Sequence, residues 1–346
     1  MNFQLHWRLI CVLFISIGCM YPSLAGAREK LRVIAWDGYA DPEIVEAFEK
    51  RYQVDVDVIL VNSDDDLWEK INRNNAADYD VFAVNTAELQ RYIDRGLSVP
   101  FNLENLPNRA HQLERFKNLS AIPGVMHQGK VYAIPYTYSD MGLIYDRKKV
   151  KEIPRSISTL WDPAYRGRVL AYNGSSHNFT IAAMQTGAPD PFSLDKNGFA
   201  LATRKLIALR RNVLTFYSSP QEVVKLFTEN DIVLVYANYG SQQLKALRDE
   251  GADVGYAIPQ EGALAWLDCW AMTRGSRNRK LAEAWVNYTL EKSVSERLSR
   301  VHGLANTITR FPGHGEDKII WLEPVEDSSK RKQLWDRILS GDSFLE

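Results

Sequence analysis

Residues 31–60 read "LRVIAWDGYADPEIVEAFEKRYQVDVDVIL", and this stretch decides the fold. Leu31–Trp36 is a short apolar run of strand length. Asp41 and Pro42 then mark a helix start, an N-cap side chain followed by a proline at the first helical position, where its missing N–H is not needed. Ile44, Phe48 and Tyr52 recur at i, i+4 and i+8, so one face of that helix is apolar. From Val54 the chain alternates valine with aspartate, the period of a strand with one solvated face. A strand, a helix and a strand in this order form the unit that builds parallel sheets.

The pattern continues along the chain. "DDDLWEKINRN" (64–74) predicts a short helix with Leu67 and Ile71 inward, "YDVFAV" (79–84) a buried strand, and "TAELQRYIDRG" (86–96) a helix closed by Gly96. "GRVLAYN" (167–173), "DIVLVYAN" (231–238) and "DVGYAIP" (253–259) read as further strands. Helical spacing covers about 178–186, 195–211, 219–229, 241–251 and 279–301. The tail 328–339 is an amphipathic helix docking through Leu334, Trp335, Ile338 and Leu339. Strands alternating with helices predict an α/β fold of mostly parallel sheets flanked by helices. Two such units each carry a crevice at the carboxyl ends of their strands. The aromatic stretch "YAIPYTYSDMGLIYD" (132–146) lies between them as a crossing strand or hinge.

Composition narrows the function. The chain has 346 residues, 45% hydrophobic and 25% charged, with a formal net charge of −1, a soft prior for two domains. That balance gives no support for a nucleic-acid partner, and the basic run "RGSRNRK" (274–280) reads as a solvated loop and helix start. The first 27 residues have a weakly basic start, an apolar run from Leu9 to Gly18 and small residues in "AGA", the layout of a secretory signal peptide cleaved after Ala27. Cys19 follows Gly18 as a lipoprotein acceptor would, but Ser16 stands where leucine is usual, which disfavours lipidation. After cleavage only Cys269 remains, so the exported chain is expected to lack an internal disulfide.

Several chemistries lack their signatures. There is no Gly-x-Gly-x-x-Gly or phosphate loop, no Gly-x-Ser-x-Gly elbow and no His-Glu-x-x-His. The six histidines are scattered, and Cys269 sits in an apolar run with no base beside it. No metal, no cofactor and no enzymatic activity are expected.

What recurs is aromatic residues beside carboxylates at the ends of strands. Residues 261–272, "EGALAWLDCWAM", are apolar enough for a strand buried on both faces, yet carry Asp268 between Trp266 and Trp270. Isolating a carboxylate from water costs several kcal/mol, so Asp268 needs a cation, either from this chain or from outside. Trp36, Asp37 and Tyr39 follow the first strand, Tyr136 and Tyr138 lie on the crossing segment, and Tyr236 and Tyr239 end a core strand. Any one such aromatic is ordinarily core packing. Together they suit a partly apolar ligand carrying an ammonium, which ring faces attract by about 0.5–2 kcal/mol each.

From Leu31 to Thr309 the sequence resembles the periplasmic spermidine/putrescine-binding proteins of ABC importers. The matching stretches are "AWDGYADPEIVEAFEKRYQVDVDV", "YDVFAVNTAELQRYIDRG", "YAIPYTYSDMGLIYD", "LWDPAYRGRVLAYN", "DIVLVYANYGSQ" and "AWLDCWAM". The resemblance implies the two-lobed periplasmic-binding-protein fold, with lobes joined by crossing strands. Its segments would be a signal peptide at 1–27, a first lobe of 28–137 and 265–305, and a second of 138–264 and 306–346. It implies a ligand site of Trp36, Tyr39, Tyr236, Trp266 and Asp268, the last holding an amine, to which the recurrence of aromatics on the crossing segment adds Tyr136. It also implies a periplasmic receptor that delivers this ligand to an ABC permease in the inner membrane.

The sequence departs from the family in the loop after "VLAYN". Gly174 and His177 stand where acids for a distal amine would be expected, and Leu304 replaces a tyrosine. Asp37 and Asp140 are candidate substitutes, unless Asp37 bonds within its turn and Asp140 is a solvated hinge residue. Two other readings stay open: an amine-sensing subunit that signals through a membrane receptor, and a receptor for a zwitterionic, amino-acid-like ligand, for which Arg210 or Arg211 would supply the cation.

Overall fold

The computed structural model describes residues 28–310 and 319–341; the expected signal peptide at 1–27, with Cys19, lies outside the described residues. Strand β1 (Lys30–Ala35), helix α1 (Pro42–Tyr52) and strand β2 (Asp55–Leu60) form the expected unit, with β1 and β2 parallel and Ile34 opposite Ile59. Asp41 stands at the N-cap of α1, yet its carboxylate does not cap. It faces His302 instead, with Nε2 2.8 Å from Oδ2. Ile44 and Phe48 are buried, and Tyr52 lies at the surface stacked on Phe48. The valine–aspartate alternation suits β2 because it is an edge strand, with every residue at least partly exposed.

Helix α2 (Asp64–Arg73) is capped by Ser63, whose Oγ accepts from the N–H of Asp66 at 3.1 Å, and it buries Leu67 and Ile71. Strand β3 (Val81–Asn85) runs directly into α3 (Thr86–Asp94), with Asn85 both ending the strand and capping the helix. Short elements follow, β4 (Ser98–Val99), α4 (Glu114–Lys117) and the pair β5 (Met126–His127) and β6 (Lys130–Val131). The chain then enters the long strand β7 (Ala133–Met141).

After Gly142 a second sheet begins. It contains β8 (Leu143–Asp146), β9 (Val169–Tyr172), β10 (Thr215–Tyr217), β11 (Leu234–Tyr236) and β12 (Val254–Ala257), in the order β10-β9-β11-β8-β12. Between these strands lie α5 (Ser175–Gln185), α6 (Lys196–Asn212), α7 (Pro220–Glu229) and α8 (Ser241–Asp249). The chain returns as β13 (Ala263–Thr273), which inserts between β7 and β3, antiparallel to both, and all of its residues are buried. Helices α9 (Arg279–Thr289) and α10 (Lys292–His302) follow, then β14 (Ala305–Asn306), β15 (Ile319–Trp321) and α11 (Ser328–Ser340). The first sheet has the order β14-β7-β13-β3-β1-β2, with β4 and β15 also on β13. In both sheets, the strands of parallel βα units adjoin an antiparallel strand that arrives from the crossing region.

The first sheet takes the chain as far as Met141 and again from Ala263, with Met141 paired to Leu264 on the β7–β13 ladder. The tail is split. Ile319–Trp321 pairs with β13 in the first sheet, and only α11 packs on α5 and α6. The expected single helix over 279–301 is two, interrupted at Leu290–Glu291, where the carbonyl of Thr289 accepts from Ser295 Oγ at 3.1 Å. In α11 Trp335 and Ile338 are buried and Leu339 is exposed. The fully buried Arg331, unread in the sequence, pairs with Glu326 at 2.8 Å.

Candidate functional site

Asp268 sits mid-strand in β13, opposite Asn85 of β3 and Thr137 of β7. The β7 register shifts just after it, with Cys269 opposite Pro135 so that Tyr136 is skipped. A bulge of this kind re-aims side chains beside a site. Trp266 and Asp268 face the cleft between the sheets, whereas Trp270 turns into the core against Tyr136 and Trp285. The carboxylate accepts one hydrogen bond, from Tyr39 Oη to Oδ2 at 2.5 Å. Tyr39 arrives on the turn after β1, where Gly38 adopts a left-handed φ of 87° and a side chain would strike the ring of His302.

Among the described residues, no lysine, arginine or histidine forms an ion pair with Asp268, and the interactions that shift its carboxyl come only from burial, Tyr39 and Asp64. Burial pushes it up to about 8. The Tyr39 hydrogen bond opposes that rise and the charge of Asp64 adds to it.

A narrow space of about 380 Å³, part of it open to solvent, lies between the lobes. The first lobe supplies Trp36, Tyr39, Asp64 and Asn85, together with Trp266 and Asp268 from β13; the second supplies Tyr172, His177, Asn238, Tyr239 and Gln242. None of these is a lysine or arginine. Asp64, the first residue of α2, is the second carboxylate on the wall. Its Oδ1 accepts from Asn85 Nδ2 at 2.8 Å, and burial lifts its carboxyl to about 7, against the lowering pull of Arg91. Burial holds His177 well below the usual imidazole range, at about 4, so it is neutral at pH 7. Gly174, before α5, brings its backbone against the ring of Tyr172, where a Cβ would lie 2.4 Å from a ring carbon.

The lobes are fastened to each other around this space. Tyr172 Oη donates to the carbonyl of Asn62 at 2.9 Å, Ser175 Oγ to Asp65 Oδ2 at 3.0 Å, and Trp266 Nε1 to the carbonyl of Asn238 at 2.8 Å. At the rim Gln221 Nε2 donates to Asp37 Oδ2 at 2.6 Å.

Of the residues expected from the sequence, the cleft gathers Trp36, Tyr39, Trp266 and Asp268 and leaves out three. Asp37 is taken up by Gln221 across the rim rather than turned inward. Tyr136, the residue skipped at the register shift of β7, is fully buried behind Tyr39, ring centres 5.5 Å apart. Tyr236 is likewise buried, its hydroxyl 3.4 Å from the sulfur of Met141 at the end of β7, and Tyr239 on the following turn reaches the cleft in its place. Asp140 is held by Tyr256 Oη at 2.5 Å and Leu304 is buried; neither lines the cleft. Arg210 and Arg211 end α6, with Arg210 beside Gly341, away from the cleft. Sequence reading missed Asp64, His177, Tyr172 and Asn85 as wall residues.

Two α/β lobes closing on a cleft lined by aromatics and carboxylates define a solute receptor of the binding-protein type. The chain belongs to the bacterial extracellular solute-binding proteins, whose family model matches residues 43–316. It is similar to spermidine/putrescine-binding periplasmic protein 1 of Haemophilus influenzae, 23% identical over 281 residues covering 81% of this chain and 75% of that protein. It is also similar to a norspermidine sensor of Vibrio cholerae, 23% identical over 296 residues, 84% of this chain and 77% of that one. In fold it matches a putative spermidine/putrescine ABC transporter structure from Listeria monocytogenes, with a TM-score of 0.80 at 19% identity, covering 90% of this chain and 99% of the other. Among the described residues no helix is long and apolar enough to cross a membrane.

Proposed function

We propose that the protein is a periplasmic receptor that captures an organic amine of the polyamine class in the interlobe cleft and hands it to an ABC permease in the inner membrane. The observation that carries this reading is Asp268, a buried carboxylate in the cleft with no cationic partner in its own chain among the described residues. An ammonium between Trp36, Tyr39 and Trp266 supplies the missing charge, and closure of the lobes removes the water that would screen it. The names of the relatives, binders of spermidine and putrescine, point the same way. Residues 1–27 would direct export and be removed, and the receptor would perform no chemistry on its ligand.

Thermal unfolding against a panel of polyamines, monoamines, amino acids and sugars tests the reading. A ligand at one hundred times its Kd stabilises the folded form by about 2.7 kcal/mol. Amines should raise the unfolding temperature and sugars should not; a panel in which no amine does so sinks the proposal. The norspermidine sensor among the relatives supports a second reading, in which the closed receptor docks on a membrane signalling protein instead of a permease. Pull-down of the liganded protein from membranes distinguishes the two by the partner recovered. Among the described residues no lysine or arginine lines the cleft to receive the carboxylate of a zwitterion, so the amino-acid-like ligand finds no support in the geometry.

A further inference from the structure

We infer that Tyr172 sets the length of the guest: its ring seals the far end of the cleft and limits the ligand to a short amine held through one ammonium. This rests on the amine reading above and deepens it. From Asp268 the wall runs through direct neighbours. Asn85 stands opposite Asp268 on the ladder, Asp64 is bonded to Asn85 at 2.8 Å, and His177 lies 3.8 Å from Asp64. Tyr172 closes that line, its ring centre 5.7 Å from that of His177. It is the last residue of β9, on the second lobe, and its hydroxyl crosses the seam to the carbonyl of Asn62 at 2.9 Å.

The ring is held on several sides. It is 1% exposed, and Tyr239 meets it edge-on with ring centres 5.7 Å apart. Tyr217 packs against it at 5.9 Å, and the backbone of Gly174 lies so close that a Cβ there would strike a ring carbon. A guest reaching this point displaces the ring only by giving up its buried apolar surface.

The polar groups at that end are already engaged within the chain. Asp64 accepts from Asn85, and Arg91, which donates to the Asp64 carbonyl at 2.8 Å, offsets its charge. Asp65 Oδ2 accepts from Ser175 across the seam at 3.0 Å, and the His177 ring lies against the side chain of Asn238. Asp268 differs, with Tyr39 as its hydrogen-bond donor and no cation of the chain paired with it among the described residues. One ammonium is therefore anchored at Asp268. The body of the guest extends past Trp36 and Trp266 only as far as the Tyr172 ring.

The test is calorimetry on two series, n-propylamine to n-octylamine and the matching α,ω-diamines, with the wild-type protein, Tyr172→Ala and Tyr172→Phe. Each methylene buried on an apolar wall is worth about fourfold in affinity. Wild-type affinity for the alkylamines should climb by about that factor per carbon, then stop at the length that meets the ring. In Tyr172→Ala the break should move outward by about two carbons or more. Tyr172→Phe keeps the ring and loses the bond to Asn62, so the break should stay while every affinity falls about fivefold. The diamines should bind no better than the alkylamines, because their second ammonium meets no open carboxylate. A break at the same length in wild type and Tyr172→Ala overturns the seal while leaving amine capture at Asp268 standing. Diamines that bind more than about tenfold tighter overturn the single-ammonium guest. A wild-type protein that binds neither series overturns the amine reading itself. Tyr172→Leu, which keeps an apolar side chain on β9, reads the same break should the alanine variant fail to fold.

Discussion

Replacing Asp268 by asparagine removes the charge while keeping an oxygen to accept from Tyr39 Oη, so the perturbation is electrostatic rather than steric. In the closed cleft the carboxyl is pushed up to about 8 from an ordinary 3.8. At ~1.4 kcal/mol per pH unit, that places the cost of an unpaired ionised carboxylate at about 6 kcal/mol. A guest ammonium offsets this cost, and an asparagine has nothing to offset. Losing one partner of a buried ion pair costs about 3–5 kcal/mol, so amine affinity should fall between about a hundred and several thousand fold in calorimetry. Stability should move the other way. A raised carboxyl means that the folded form holds a proton the unfolded chain has released, so wild-type stability declines as pH rises from about 4 through about 8. The unliganded variant lacks that decline, and at pH 8 its unfolding temperature should equal or exceed wild type. Unchanged amine affinity in the variant would refute the assignment of Asp268 as the counter-charge.

Other expectations come from the same geometry. Amine binding at pH 7 should release protons, chiefly from Asp268 and partly from Asp64, with affinity weakening by up to about tenfold per unit for each proton released as pH falls from 8 to 6; calorimetry in buffers of different ionisation enthalpy measures the release, and its absence would contradict the burial of both carboxyls. Gly174→Ala places a Cβ 2.4 Å from the Tyr172 ring, a clash that should cost about 1–3 kcal/mol in chemical denaturation or displace the ring and weaken amine binding. Tyr172→Phe and Ser175→Ala each delete one bond between the lobes, worth about 1 kcal/mol. Each should lower affinity about fivefold, with a more open liganded form in small-angle scattering.

The fold was legible because its signals are periodic. The strand, helix and strand of residues 31–60 and the apolar run of β13 each occupy the positions their spacing implies. Asp268 was legible for the opposite reason, as a charge that breaks an apolar run. Asp64 was hidden because three aspartates after Ser63 also describe a helix's acidic first turn, and nothing local separates the one that lines the cleft from its two neighbours. Tyr236 and Tyr239 differ by where the strand stops. β11 ends at Tyr236, so the period that buries that ring no longer governs the next one. Tyr136 depended on a register shift, which is set by the partner strand and leaves no mark in its own sequence.

The insertion of β13 between β3 and β7 has a consequence for how the chain comes to be folded at all. A ribosome delivers both flanking strands long before the one that must sit between them, so the first sheet stays split while the entire second lobe is made. Contacts so distant in sequence form slowly, and a polypeptide whose core cannot yet zip remains loose enough to be threaded through a narrow channel.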